Sequence, residues 1–205
     1  GNILRIFPLH DLIHYLDRRR ALSMLADEMF VQPIHGKGVR VIWLKGETDM
    51  LGALEEVESF GEFAKRNNAV ASTEVKSFEH LICTEQLSRR LGFKVGEELI
   101  RVVRVRSLNG NARQVDHGYF LESIAKGLTP EIAAKSIYDY LEHKRGVKVM
   151  ASRRTVSVEL ANDEDCSYLD LGKYNCVAVM ESQSYTSDGI LFEVTHTRTH
   201  PEIFH

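Results

Sequence analysis

Two short polar turns, each between a pair of long segments rich in β-branched residues, constrain the fold of this chain most. Asn109-Gly110 is one of these turns and Ser187-Asp188-Gly189 is the other. Asn-Gly and Asp-Gly pairs readily adopt the positive φ angles of tight hairpins, so the flanking segments are expected to pair antiparallel. The segments predicted as strands are residues 71–82, 99–108, 114–120, 147–160, 176–186 and 191–199.

Helices are predicted between these strands from their start and stop signals. Pro130 is suited to the first position of a helix, and Gly92 and Gly146 are suited to the end of one. The predicted helical segments are residues 59–66, 84–91, a region starting at 128–131, 136–145 and 163–169. Long strands joined by hairpins, with short helices between them, predict an α+β fold in which helices pack on an antiparallel sheet.

The first 46 residues differ from the rest in pattern and in charge. A short helix is predicted over 11–16 and a stronger amphipathic helix over 18–29, and a hairpin of 31–34 and 39–41 follows them. This order is typical of a winged helix-turn-helix. Weak periodicity and two glycines place a linker at 44–54, so the predicted domains are 1–43, the linker and 55–205.

Charge is distributed unevenly between these two parts. The chain has a net charge of −3, but residues 1–46 carry seven Lys/Arg and four Asp/Glu, so the head is +3 and the remainder −6. A basic head on an acidic body is typical of a DNA contact confined to the head, although a solvated basic patch has the same composition. The predicted DNA-binding residues are Arg18, Arg19, Arg20, His35 and Lys37.

Several functional classes are disfavoured by what the sequence lacks. It contains no run of 18 apolar residues, no GxSxG motif and no Ser/His/Asp set in a recognisable pattern. His10 and His14 are four residues apart but no acidic third ligand follows them, so no metal site is predicted. The three cysteines form no CxxC motif and are expected to be reduced. We therefore predict a cytoplasmic protein that is not an enzyme and has no cofactor.

A small-molecule site is predicted on the strand 99–108. Residues two apart share one face of a strand, so Arg104 and Arg106 point the same way, as do Ile100 and Val102. Two guanidinium groups on one face can bracket a phosphate or a carboxylate. Ser59 is placed at a helix N-cap, where backbone N–H groups favour an anion. Surface salt bridges and an ordinary capping box are the alternatives.

Ordered motifs along the chain resemble a known family of regulators. Residues 19–39 resemble the second half of a GntR-type winged helix, and the body resembles the UTRA effector-binding domain of the HutC-type subfamily. Segments 129–140 and 163–171 are similar to those of trehalose operon repressors. The body motifs that carry the resemblance are Glu58-Ser59-Phe60-Gly61-Glu62-Phe63, Arg104-Val105-Arg106, Asp116-His117-Gly118-Tyr119-Phe120, Ser136-Ile137-Tyr138-Asp139-Tyr140-Leu141-Glu142 and Leu191-Phe192-Glu193-Val194-Thr195.

The resemblance implies roles for particular residues. The Ser-Phe-x segment and the Arg-x-Arg strand would hold an anionic group, Glu193 would bind sugar hydroxyls or amines, and Asp116 stands where many relatives carry Glu. The ligand-binding residues implied in this way are Ser59, Phe60, Gly61, Arg104, Arg106, Asp116 and Glu193.

The function implied by the resemblance is a homodimeric repressor that binds a palindromic operator. Its effector would be a sugar phosphate, with trehalose 6-phosphate favoured over other phosphorylated sugars or an organic acid. Whether the ligand releases or promotes DNA binding is left open. The body fold is shared with chorismate lyase, so an enzyme is one alternative.

The head departs from the family pattern. The turn and the start of the recognition helix expected between Asp17 and Arg18 are missing, so the main base-reading residues cannot be carried over. The head is therefore expected to be an incomplete winged helix-turn-helix. A ligand-binding module that has lost DNA binding is the second alternative.

Overall fold

The computed structural model describes part of the N-terminal region and almost all of the body. The chain forms two compact units, Gly1–Leu51 and Gly52–His205. The predicted linker at 44–54 lies outside the described residues, so the domain boundaries stay predictions. The described residues are 19–26, 31–34, 36, 38–41 and 60–204.

The first unit contains a helix and a hairpin, as its sequence pattern predicts. Helix α1 covers 19–26, and strand β1 (Val31–Ile34) pairs antiparallel with β2 (Gly38–Val41). Gly36 has a φ of 71° in the turn between them, a conformation that glycine adopts without steric cost. Arg19 and Arg20 are exposed on α1. The other predicted DNA contacts, Arg18, His35 and Lys37, lie outside the described residues.

The second unit is built on a six-stranded sheet in which every neighbouring pair is antiparallel. The strand order is β3-β4-β5-β8-β7-β6, so two three-stranded meanders join where β5 pairs with β8. The strands are β3 (Ala71–Ile82), β4 (Glu98–Leu108), β5 (Asn111–Leu121), β6 (Val149–Leu160), β7 (Cys176–Thr186) and β8 (Leu191–Thr199).

Both predicted hairpin turns are present. Asn109 and Gly110 have φ angles of 51° and 82°, and the Asn109 side chain accepts a hydrogen bond from the Val70 backbone at 2.8 Å. In the second turn Gly189 has a φ of 71°, and the Thr186 amide donates to the Ile190 carbonyl at 3.0 Å. These local signals therefore account for one strand pair in each meander, β4 with β5 and β7 with β8.

Short helices lie between the strands, and most of them begin at a residue whose side chain caps the helix. Thr84, Thr129 and Ser136 each accept a hydrogen bond from a backbone amide three residues on. The helices are α2 (Phe60–Arg66), α3 (Glu85–Leu91), α4 (Pro130–Ala133), α5 (Ile137–Asp139) and α6 (Asp163–Tyr168), with a 3-10 turn at Pro201–Ile203. Within the described ranges no helix combines the length and the apolar character needed to cross a membrane.

One helix prediction was wrong in form. A single α-helix was expected over 136–145, but α5 contains only three residues and continues as a π-helical turn, Tyr140–Lys144. The Tyr140 hydroxyl donates to the Lys126 carbonyl at 2.8 Å, and the Val147 amide donates to the Leu141 carbonyl at 3.0 Å. Hydrogen bonds with Lys126 and Val147 therefore accompany the π-helical conformation of this segment.

The two faces of the sheet bury different side chains. We call the face that carries Ile100, Val102 and the two predicted arginines the front face, and the opposite one the back face. Ile100 and Val102 belong to a core cluster that includes residues of α4 and α5. On the back face Val103 and Val105 pack in a second cluster with residues that follow α6. Arg104 and Arg106 thus lie on the front face beyond its apolar part.

Candidate ligand-binding site

The register of the strands gathers polar side chains on the front face. Arg104 lies opposite Asp116, and Asp116 lies opposite Thr197 on the next strand. Residues directly opposite one another in an antiparallel pair share a face. The polar front-face residues of the five strands β4, β5, β8, β7 and β6 include Arg104, Arg106, Gln114, Asp116, Glu193, Thr195, Thr197, Thr199, Ser182, Ser184, Ser152 and Arg154.

Arg104 is buried and already paired. Its Nε donates to Asp116 Oδ2 at 3.1 Å, an Nη2 hydrogen bond reaches the same oxygen, and Nη1 donates to the Ala133 carbonyl at 3.3 Å. The side chain is only 6% exposed. A buried charge is tolerated when it is both paired and hydrogen-bonded, as here. Arg104 therefore holds α4 and β5 in place and leaves few donors for a ligand.

Asp116 is the carboxylate around which this part of the site is organised. Besides the bonds from Arg104, it accepts hydrogen bonds from Arg106 Nη2 at 3.3 Å and from Thr197 Oγ1 at 3.0 Å. Burial would raise the pKa of Asp116, but the two guanidinium groups lower it to about 2. The carboxylate is therefore ionised at neutral pH.

Arg106 is the more open of the two predicted cations. Its side chain is 20% exposed, its Nη1 lies 3.4 Å from Gln114 Oε1, and its Cζ lies 5.5 Å from the centre of the Phe60 ring. Burial and the like charge of Arg104 lower the pKa of Arg106 to about 10, so it remains protonated at neutral pH. A partly exposed guanidinium placed over an aromatic ring is well positioned to bind an anion.

Glu193 lies on the same face and is bonded to a residue from a helix. Its carboxylate accepts a hydrogen bond from the Tyr138 hydroxyl, which lies 3.1 Å from Ser184 Oγ. Tyr138 belongs to α5, whose first turn is capped by Ser136. Burial raises the pKa of Glu193. Burial and the Glu193 carboxylate likewise raise the pKa of Tyr138.

A glycine makes room in the floor of the site. Gly118 lies on the front face between Val102 and Thr195. A Cβ placed on Gly118 would lie 2.6 Å from Cε2 of the fully buried Phe120 ring, which is closer than real contacts allow. The ring of Phe120 therefore occupies the space that any side chain at 118 would need.

The structure brings together most of the residues predicted for ligand binding. Phe60 contacts Arg106, and Arg106 and Arg104 both bond Asp116. Gly61 follows Phe60 on α2 and is exposed. Glu193 lies on the same face, opposite Phe120. Ser59 lies outside the described residues, so its predicted capping box does as well. The binding roles themselves stay predictions.

Sequence reasoning missed several residues of this face. Gln114 and Thr197 lie two or four positions from predicted residues on the same strands, so the period-two alternation already used for β4 could have found them. Tyr138 was part of a recognised motif without a role. Ser184 had no local signal, because only the pairing of β7 with β8 places it beside Glu193.

The chemistry of this site suits an oxygen-rich anion. Arginine, hydroxyl and carboxylate groups converge on one face, where they can bind charged and hydroxylated parts of one molecule. Within the part of the chain that the structure describes, no three His, Cys, Asp or Glu residues are grouped so as to hold a metal ion.

Comparison with known proteins assigns the body to a family. The sequence model of the UTRA domain matches residues 66–205, more than half of the chain. The chain belongs to the UTRA domain family. Arg104, Arg106, Asp116, Tyr138 and Glu193 all lie inside the matched part of this UTRA domain.

The relatives of this UTRA-domain chain are transcriptional regulators. It is 29% identical to the HTH-type transcriptional regulator TreR of Bacillus subtilis (strain 168) over 180 residues, 88% of this chain and 74% of TreR. It is 23% identical to the HTH-type transcriptional repressor NagR of the same organism over 175 residues, 85% of this chain and 70% of NagR.

Solved structures show the same fold. The effector binding domain of the B. subtilis trehalose repressor superposes with a TM-score of 0.60 at 28% identity, covering 65% of this chain and 93% of that one. PhnF from Mycobacterium smegmatis superposes with a TM-score of 0.66 at 18% identity, covering 97% of this chain and 88% of that one.

Proposed function

We propose that this UTRA-domain protein is a ligand-responsive, DNA-binding repressor of a carbohydrate-utilisation operon, with a sugar phosphate as its effector. The observation that carries the proposal is the front-face site, in which Arg106 rests on Phe60 beside a buried Arg104–Asp116 pair. The relatives with this domain are regulators rather than enzymes, and we propose no catalysis.

Arg106 is the proposed principal contact of the phosphate. It is the more exposed cation, and the Asp116 carboxylate and the Phe60 ring fix its orientation. Arg104 contributes charge and positions Asp116, because its own donors are largely occupied. A phosphate that approaches Arg106 would exchange water for charge-assisted hydrogen bonds, which are about twice as strong as neutral ones.

Glu193 is the proposed contact of the sugar. Its carboxylate and the Tyr138 and Ser184 hydroxyls form one hydrogen-bonded group on the same face as Arg106. Such groups can exchange their internal bonds for bonds to sugar hydroxyls. Trehalose 6-phosphate is the favoured effector because one regulator similar to this chain is named a trehalose repressor.

The N-terminal unit is the proposed DNA-binding head of a cytoplasmic homodimer. Arg19 and Arg20, which are exposed on α1, are proposed to contact DNA phosphates, and the β1–β2 hairpin is the proposed wing. Arg18, His35 and Lys37 are proposed to join them. A two-fold dimer would read a palindromic operator. For the effector to act, it must bind the DNA-competent and DNA-incompetent states with different affinities.

The test of the effector class is unfolding in the presence of a ligand panel. The panel contains trehalose 6-phosphate, glucosamine 6-phosphate, N-acetylglucosamine 6-phosphate, glucose 6-phosphate and free trehalose. A ligand at roughly 100 times its Kd adds about 2.7 kcal/mol to the free energy of unfolding. We expect this gain with one phosphorylated sugar, its loss in Arg106→Met, and its retention in Arg89→Met, which removes an exposed arginine of α3.

Two outcomes would contradict the proposal. If no phosphorylated sugar stabilises the protein, the effector class is wrong. If the protein selects no palindromic sequence from a pool of random duplex DNA, or if the stabilising sugar leaves that binding unchanged, the protein is a binding module without the proposed regulatory role.

A further inference from the structure

Arg154 is a cation of the front face that the proposed function does not use. It lies on β6 opposite Ser182, which in turn lies opposite Thr195 of β8. Its Nε is buried, yet this atom has no hydrogen-bond partner among the described residues. The other front-face arginines differ in this respect, because Arg104 and Arg106 both bond Asp116.

A buried donor without a partner destabilises the folded chain. Leaving such a group unsatisfied costs about 1–3 kcal/mol, and more when the group is charged. The neighbouring hydroxyls are bonded elsewhere: Ser152 and Ser182 lie 2.9 Å apart and bond each other, and Ser184 bonds Tyr138. The Arg154 Nε is therefore open to an acceptor from a bound ligand or a water molecule.

The position of Arg154 indicates what that partner is. On its strand Arg154 lies two residues from Ser152, which is opposite Ser184, and Ser184 is opposite Glu193, so Arg154 is near the Tyr138–Glu193 group. Burial and the Glu193 carboxylate raise the pKa of the Tyr138 hydroxyl, and the charge of Arg154 opposes this rise. The strands β4 and β6 are four positions apart in the sheet, roughly 19 Å at the usual strand spacing. Arg154 is thus at the opposite end of the polar face from Arg106.

We propose that Arg154 is a specificity-determining residue of the effector site, whose guanidinium binds acceptor oxygens of the effector part furthest from Arg106. This rests on the proposed function and deepens it, because it requires an effector long enough to reach both arginines. A phosphorylated disaccharide carries hydroxyl and ring oxygens on a second ring, further from its phosphate than any oxygen of a phosphorylated monosaccharide. Arg106 would then bind the charged group that both kinds of molecule share.

The first part of the test needs no ligand. Thermal unfolding is compared for the wild type, Arg154→Met and Arg153→Met, which removes a positive charge from the next position of β6 on the back face. We expect Arg154→Met to unfold at the same temperature as the wild type or higher, because it removes a buried Nε donor that has no hydrogen-bond partner among the described residues. A larger fall in Tm than in Arg153→Met would assign Arg154 a structural role and overturn the proposal.

The second part measures the Kd of trehalose 6-phosphate and glucose 6-phosphate by calorimetry. We expect Arg154→Met and Arg154→Lys to raise the Kd of the disaccharide about tenfold or more. The Kd of the monosaccharide should stay within about twofold of the wild-type value. An unchanged Kd for the disaccharide would overturn the proposal, as would an equal loss of affinity for both sugars. If the wild type binds neither sugar, the proposed effector class fails, and the ligand-free comparison still decides the role of Arg154.

Discussion

Arg198 and Arg154 lie two strands apart in the same sheet but on opposite faces, and their surroundings differ. On the back face, Arg198 Nε donates to both oxygens of Asp165 at 2.9 and 3.0 Å, Nη1 donates to Glu159 at 2.6 Å and Nη2 donates to the Leu160 carbonyl at 3.3 Å. On the front face the buried Nε of Arg154 has no partner in the described chain.

The difference separates an arginine that holds the fold together from one that is available to a ligand. Asp165 is fully buried and closes the capping box of α6 with Asn162, so Arg198 fastens this helix to the sheet. Among the described residues, Arg154 has no such hydrogen bonds to a helix. Arg104 resembles Arg198 in its bonding, and Arg106 lies between the two extremes.

The largest expected effect concerns the back face. Arg198→Met leaves the buried Asp165 carboxylate without its cation, so we expect the free energy of unfolding to fall by about 3–5 kcal/mol in urea titrations. Arg101→Met is the matched control, since it breaks a partly exposed pair with Glu79 that is worth at most about 1 kcal/mol. Equal losses in the two variants would break the distinction between the faces.

A loss of stability of intermediate size is expected when Asp116 is protonated. Its folded pKa of about 2 lies below the unfolded value of about 3.9, so it stabilises the fold above pH 4 and this stabilisation is lost as the pH falls from about 4 to 2. The contribution corresponds to about 2–3 kcal/mol.

The free energy of unfolding of the wild type and of Asp116→Asn should be measured between pH 7 and pH 2. We expect the variant to be less stable at neutral pH and to lose less of its stability on acidification. Two parallel curves would mean that Asp116 has an ordinary pKa.

The smallest expected effect has the opposite sign. Burial raises the pKa of Glu193, so the stability that this group contributes falls as the pH rises above its unfolded value of about 4.3. Glu193→Gln keeps an acceptor for Tyr138 without the charge, and we expect it to stabilise the protein at pH 7 by about 0.5–1 kcal/mol while weakening effector binding.

The back-face counterpart of that substitution is Asp165→Asn. It removes the negative charge that pairs with Arg198 and should therefore lower the stability of the protein. Both variants are compared with the wild type by thermal unfolding at pH 7. A loss of stability in Glu193→Gln would place Glu193 among the structural charges and remove it from the proposed site.

Local chemistry explains why so much of the fold was predictable. The positive φ angles at Asn109 and Gly110, the Thr84 cap and the Gly92 stop of α3 all depend on residues close together in the chain. The same is true of the shared face of Arg104 and Arg106, which follows from the two-residue period of a strand. The π-helical turn after α5 was not predictable, because its contacts come from distant segments.

The sequence by itself determined the antiparallel strands, the end of α3 at Gly92, the shared face of the two arginines and a resemblance to the UTRA family that the comparison confirms. The tertiary structure alone decided which arginines have partners. That outcome depends on burial and on strand register between segments far apart in the chain, such as β4 with β5 and β8 with β7. Period and propensity act over a few residues and carry no information about such pairings.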